Sequence, residues 1–362
     1  MQKKYYYWLD FMRFTAAFIV VVAHARHLIW AKYSDLTSSD QNIFNGFIYA
    51  VTKLGNEAVI VFFVLSGFLV GGSAIKRLND SDFKTYEYLI DRSTRILIPL
   101  IPAVLFTSLI QLIIGAEISW FQYLGHMLSI QGVMIPVMRE NEALWSLSYE
   151  VWFYVLPFAI ALLFSKNNAL LGVIVTVSFF CVFSILNHVY LFIWFIGALA
   201  FLVKKWHKPD WRIMLFAGFI ILYGILGRQV GRGSDSISFG FWQELVPTLE
   251  LSRIIFSLGI ALLIQQIAFV EPSNKVINRI EEMGSSLASF SFTLYLIHLP
   301  ILNLISFYLG EPYNSISIQS CVTLVLSIVA CLVLSYLMYL LFEKHTDKVR
   351  KFVKVKLIKA VD

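Results

Sequence analysis

Ten apolar runs recur at even intervals along the chain, and most are about as long as a helix must be to cross a bilayer. Their approximate limits are 9–30, 46–74, 95–115, 144–164, 169–186, 189–203, 213–229, 246–270, 287–309 and 317–342. Of the 362 residues, 58% are hydrophobic and 14% charged, and the mean hydropathy is +0.73. A soluble domain carries roughly a quarter charged residues. One this apolar would expose patches that aggregate, a conflict that lipid removes. The pattern predicts an all-α fold: a polytopic integral membrane protein with about ten transmembrane helices. One membrane domain, residues 1–343, is expected before a basic tail, residues 344–362. Lys3 and Lys4 precede the first run as in a signal peptide, but the run from Phe11 to Trp30 has spanning length, so it reads as an uncleaved first helix. Segment 120–138, with Gln122, His126, Gln131 and Pro136, reads as an interfacial or re-entrant helix.

Charge placement sets the expected orientation. With the N-terminus in the cytoplasm and ten alternating spans, 21 basic residues fall inside and 5 outside. That bias supports cytoplasmic placement of both termini and an even number of spans. A net charge of +6 distributed in this way fits a membrane face and predicts no nucleic-acid partner. The tail from Glu343 to Lys359 is expected to lie along anionic lipid. Cys181, Cys321 and Cys331 all lie within apolar runs, without C-x-x-C or metal-like spacing, and read as small packing residues.

Ionisable groups within spans are costly and mark candidate function. Arg13 and His24 are eleven residues apart; at about 100° per residue they share one helical stripe, roughly 16 Å apart along the axis. Such a stripe can line a passage, with histidine as general base near neutral pH. Equally, Arg13 can snorkel to the interface while His24 hydrogen-bonds between helices. His27 completes H-x-x-H, but no carboxylate stands at a telling spacing, and no metal is expected. Glu57 and Glu150 are both placed to orient His24. Glu250 and Arg253, three apart, read as a structural ion pair. Arg92 and Arg95 share a face in DRSTRILIPL, where span three is expected to begin. Two guanidiniums at a helix N-terminus would suit phosphates, although positive-inside anchoring explains them as well. Gly67 in VFFVLSGFLV permits close helix packing, the commoner explanation for a Ser-Gly pair than a nucleophilic Ser66.

Several of these segments together resemble the acyltransferase-3 family of integral membrane acyltransferases. LDFMRFTAAFIVVVAHARH is similar to its opening helix, with Arg13 and His24. VIVFFVLSGFL resembles its Phe-Phe…Ser-Gly-Phe segment, carrying Ser66, Gly67 and Phe68. DRSTRILIP resembles its R-x-x-R-x-x-x-P pattern, with Arg92, Arg95 and Pro99. LWSLSYEVWFYVLP provides Trp145, Glu150 and Pro157; SFTLYLIHLPIL provides Tyr295, His298 and Pro300; Phe342-Glu343 follows before the basic tail. One departure is visible: the acid that often precedes the paired phenylalanines by two is Ile60 here, and Glu57 lies three residues earlier.

The resemblance implies transfer of an acyl group, often acetyl, from acyl-CoA to a hydroxyl of a cell-surface glycan or lipid-linked sugar. It also implies a multi-pass protein of the cell inner membrane. On that reading Arg13, Arg92 and Arg95 bind the donor's phosphates. His24 is the general base, held by Glu150. Ser66, Gly67, Phe68, Trp145, Tyr295 and His298 support the donor or the acceptor. The rival is a transporter or flippase of a polysaccharide precursor, whose intramembrane charges would line a path without chemistry.

Overall fold

The computed structural model describes residues 7–203, 208–230, 247–270 and 284–358. Among them the secondary structure is helical, apart from two isolated β-bridges. The helices are α1 (Tyr7–Ile29), α2 (Ile43–Thr52), α3 (Gly55–Ser66), α4 (Ser73–Asn79), α5 (Thr85–Ile114), α6 (Trp120–Met127), α7 (Trp145–Leu163), α8 (Ala169–Ile185), α9 (Val189–Leu202), α10 (Trp211–Val230), α11 (Leu249–Ile267), α12 (Ser291–Leu309), α13 (Ile318–Leu341) and α14 (Thr346–Ile358). A π-helical turn, Gly67–Gly72, joins α3 to α4. The 3-10 turns Arg139–Leu144 and Glu343–His345 lead into α7 and α14.

Among the described residues, eight helical stretches are long and apolar enough to cross a membrane, and α8 and α9 are shorter apolar helices. In chain order these correspond one for one to the ten apolar runs. The chain is a multi-pass α-helical membrane protein. Large apolar side chains such as Phe180, Phe216, Phe219 and Leu326 stay exposed, as they must where lipid is the solvent. Helix ends follow local chemistry. Asn42 caps α2 by accepting the Asn45 amide, and Ser317 and Ser320 form a reciprocal capping box at α13. The expected short helix in 120–138 is α6, capped by Ser119. The basic loop residues Lys204, Lys205, Arg232, Lys275 and Arg279 lie outside the described residues.

The chain forms two compact, interleaved units. One comprises 1–16, 56–83 and 152–288; the other comprises 17–55, 84–151 and 289–362. In the first, α9 packs so closely on the π-helical turn that a Cβ on Gly67 would collide with the Trp194 carbonyl oxygen, and one on Gly197 with that of Val64. Aromatic rings fill the neighbouring interior: Phe153 stacks on Trp194 at 5.5 Å, and Phe63 meets Tyr190 edge-on at 5.3 Å. Glu57 forms a buried ion pair with Arg228 at 2.6 Å. Arg253 lies 5.2 Å over the Tyr190 ring, whereas Glu250 is exposed and makes no ion pair with it, contrary to the i, i+3 expectation.

In the second unit, α14 is held against α5 by charge. Arg350 reaches Asp91 at 3.4 Å, and Lys354 reaches Asp91 at 3.0 Å and Glu87 at 3.4 Å. The loop after α6 is fixed by His126, whose Nδ1 donates to the Gln122 carbonyl at 2.8 Å while its Nε2 accepts the Met138 amide at 3.2 Å. This doubly satisfied ring is a neutral tautomer with 0% exposure.

Two outcomes follow. Replacing Glu57 with Ala strands the Arg228 guanidinium in an apolar interior and should cost about 3–5 kcal/mol. Apolar residues at both positions should recover most of that, and thermal unfolding of the purified protein decides; an unchanged melting temperature for the single variant excludes it. Burial pushes the His126 imidazole below its ordinary 6.5, against a smaller pull upward from the Gln122 carbonyl. The unfolded segment then binds more protons, so this stability is present above about pH 6.5 and is lost below it. Amide exchange across 120–138, corrected for its intrinsic rate, should quicken as pH falls through that range, and not in His126→Gln.

Candidate active site

The site is built around two imidazoles in the second unit. α1 carries His24 and α12 carries His298, and His24 Nδ1 lies 2.9 Å from His298 Nε2. The rings stack with centroids 5.1 Å apart and planes inclined by 26°. His298 has 0% exposure, and its Nδ1 is 2.8 Å from the Tyr295 carbonyl and 3.1 Å from that of Leu294. A carbonyl oxygen only accepts, so His298 Nδ1 carries the hydrogen. With both rings neutral, His298 Nε2 is then an acceptor, and His24 Nδ1 must donate to it. The consequence is chemical: His24 is held with its Nε2 lone pair unprotonated and available.

The surrounding helix is shaped by Pro300. Proline has no N–H, so the Leu296 carbonyl four residues earlier loses its helical donor. Asn141 replaces it: its Nδ2 donates to Leu296 O at 2.9 Å and to Thr107 Oγ1 at 3.1 Å. Asn141 is fully buried, and its Oδ1 has no hydrogen-bond partner. Beside it, the Tyr295 hydroxyl donates to the Ala143 carbonyl at 2.9 Å and receives the Ser146 hydroxyl at 2.6 Å. Asn141 and Ser146 escaped the sequence reading. Only the freed carbonyl at Pro300 hinted that a polar side chain must reach α12, and nothing in the spacing says which.

The other expected residues divide between the units. With the histidines lie Trp145, edge-on to Tyr149 at 5.6 Å, and the half-buried Glu150. The hydrogen bond of His24 goes to His298. Arg92 and Arg95 are in this unit too, but α5 begins at Thr85, about two turns before Arg92 and nearly three before Arg95. The helix-terminus part of the phosphate argument therefore fails, because the dipole acts only over the first turn. Arg92 lies 5.7 Å over the Tyr88 ring. Arg95 pairs with Glu343 at 2.9 Å and lies 5.5 Å over Phe292. Glu343 is buried and also accepts the Thr293 hydroxyl at 2.6 Å, which tethers the start of α14 to α5 and α12. In the other unit Arg13 pairs with Asp10 at 2.7 Å. There, too, the buried Ser66 hydroxyl has no hydrogen-bond partner, and Phe68 meets Phe201 at 5.3 Å.

A family model described as an acyltransferase domain matches residues 6–340. The chain belongs to the acyltransferase-3 family. No curated protein and no solved structure matched it. Family membership over nearly the whole length makes this a membrane O-acyltransferase, with an acyl donor and an acceptor as substrates. In that chemistry a hydroxyl must lose a proton as it attacks, and a neutral imidazole with one open nitrogen, as at His24 Nε2, has the form that could take it. His298 touches His24 and is itself fixed by two helix carbonyls, the geometry of a positioning residue. His298→Ala should lower kcat by about 10²–10⁴-fold while leaving the donor KM within twofold. Equal losses in both parameters would mean that His298 binds donor instead.

Proposed function

We propose that this acyltransferase moves an acyl group, acetyl in the simplest case, from acyl-CoA to a hydroxyl of a cell-surface glycan or lipid-linked sugar. The setting is the cell inner membrane, with both termini cytoplasmic. The observation that carries the proposal is the His24–His298 hydrogen bond, with its Nε2 lone pair on His24. The acceptor oxygen attacks the thioester carbonyl, and His24 Nε2 takes its proton. The tetrahedral intermediate collapses with loss of the thiolate, which receives that proton from His24 and leaves as the free thiol. His298 keeps the imidazole aligned in both steps, the part that a carboxylate plays in a serine hydrolase. Glu150 supports the same region from α7.

The donor's phosphates need cations on the cytoplasmic side. Arg92 and Arg95 on α5 supply them. Arg95 is 37% exposed in its side chain, so it can keep one face on Glu343 and offer the other to a phosphate. Trp145 at the start of α7 acts as a support for the pantetheine arm or the acceptor, and Ser66, Gly67 and Phe68 are separate candidates for such support in the first unit. π-Helical turns recur at functional sites, and the unsatisfied Ser66 hydroxyl is a donor awaiting a carbonyl.

Transfer of radiolabelled acetyl from acetyl-CoA to endogenous glycan in inverted membrane vesicles tests the proposal. Wild type should incorporate label, and His24→Ala at equal abundance should fall by about 10²-fold or more. Equal incorporation by both removes His24 from the chemistry. No incorporation by either, across several acyl donors, favours a transporter.

A further inference from the structure

The second unit contains a cavity of about 430 Å³ that the chemistry above leaves unused. It is lined by Ile114 at the end of α5, by Arg139 and Glu140 of the 3-10 turn, and by Asn303, Ser306 and Phe307 of α12. This volume falls within the range of small-molecule sites. Its polar groups are held from behind. Gln111 donates to the Glu140 carboxylate, and the Tyr123 hydroxyl donates to Gln111; both supports are buried. Asn303 Nδ2 donates to the Glu140 backbone carbonyl at 2.9 Å, which leaves its Oδ1 as an acceptor.

The lining is therefore rich in acceptors: the Glu140 carboxylate, Asn303 Oδ1 and the Ser306 hydroxyl. Arg139 adds donors, and Ile114 with the half-exposed Phe307 ring adds apolar surface. A ligand matching this set donates several O–H groups and presents an apolar face, which describes an uncharged sugar ring. Arg139 and Glu140 together leave the wall with no net charge, which suits an uncharged ligand. Asn303 follows His298 by five residues on α12, about 7.5 Å along the axis and about 140° around it. A sugar seated here thus lies on another face of α12 from the imidazole, where a neighbouring ring of the acceptor glycan would sit. We infer that this cavity is an acceptor subsite for a ring of the glycan other than the one that reacts, taking an uncharged sugar with neighbouring hydroxyls on the Glu140–Asn303 wall. The inference rests on the acyl-transfer reading for its meaning, but not for its test.

The test is binding of the full chain, in lipid nanodiscs, to an array of immobilised mono- to tetrasaccharides, with the Kd for CoA measured on the same samples. Ser306→Trp fills the cavity, and Glu140→Gln removes the carboxylate while keeping its shape. Wild type should bind a subset of uncharged glycans. Both variants should lose at least about tenfold in that affinity, with the CoA Kd unchanged (tenfold being about 1.4 kcal/mol). If Ser306→Trp does not fold, Glu140→Gln alone decides. Wild type binding no uncharged sugar, or variants binding as wild type does, overturns the subsite. Sugar binding without CoA binding leaves the subsite standing and removes the acyl-transfer reading instead.

Discussion

A polar group inside hydrocarbon has no water to fall back on, so each must find a partner within the protein. The arrangement around α12 depends on this constraint. Pro300 removes one amide hydrogen, the Leu296 carbonyl is left without its donor, and Asn141 arrives to replace it. That single bond ties the turn before α7 to the middle of α12. It places the neighbouring Tyr295–Ser146 contact beside His298. His298 in turn spends its own hydrogen on two helix carbonyls, which leaves it only an acceptor to offer His24. The tautomer of His24 thus follows from a sequence of local satisfactions, each imposed by the apolar surroundings.

The same constraint explains the charged residues that are not at the site. Glu57 does not orient a histidine; it is committed to Arg228. Its partner guanidinium comes from the end of α10. Glu343 is likewise committed to Arg95 and Thr293, so the Phe342-Glu343 pair is a structural clasp at the start of α14. Arg253 finds a ring face on Tyr190 rather than the carboxylate one turn earlier, which is exposed at the start of α11.

Close approach is the other requirement. Without a hydrophobic effect between helices in lipid, packing depends on small residues. Gly67 and Gly197 face the backbones of Trp194 and Val64, where no larger residue fits without displacement. The Ser66–Gly67 pair therefore has a packing role through its glycine whatever the serine does.

The sequence by itself determined the class, the number of apolar helices and the family. These depend on apolar run length and on motif order, both of which are linear properties. It also identified His24, Tyr295 and His298 as separate candidates. Only the tertiary structure decided that the two histidines share a hydrogen bond, that α5 begins about two turns before Arg92 and nearly three before Arg95, and that Asn141 serves α12. The partner of a buried polar group lies wherever the packing brings a complementary atom, 274 residues away for His24 and 155 for Asn141. No local spacing encodes a separation of that kind.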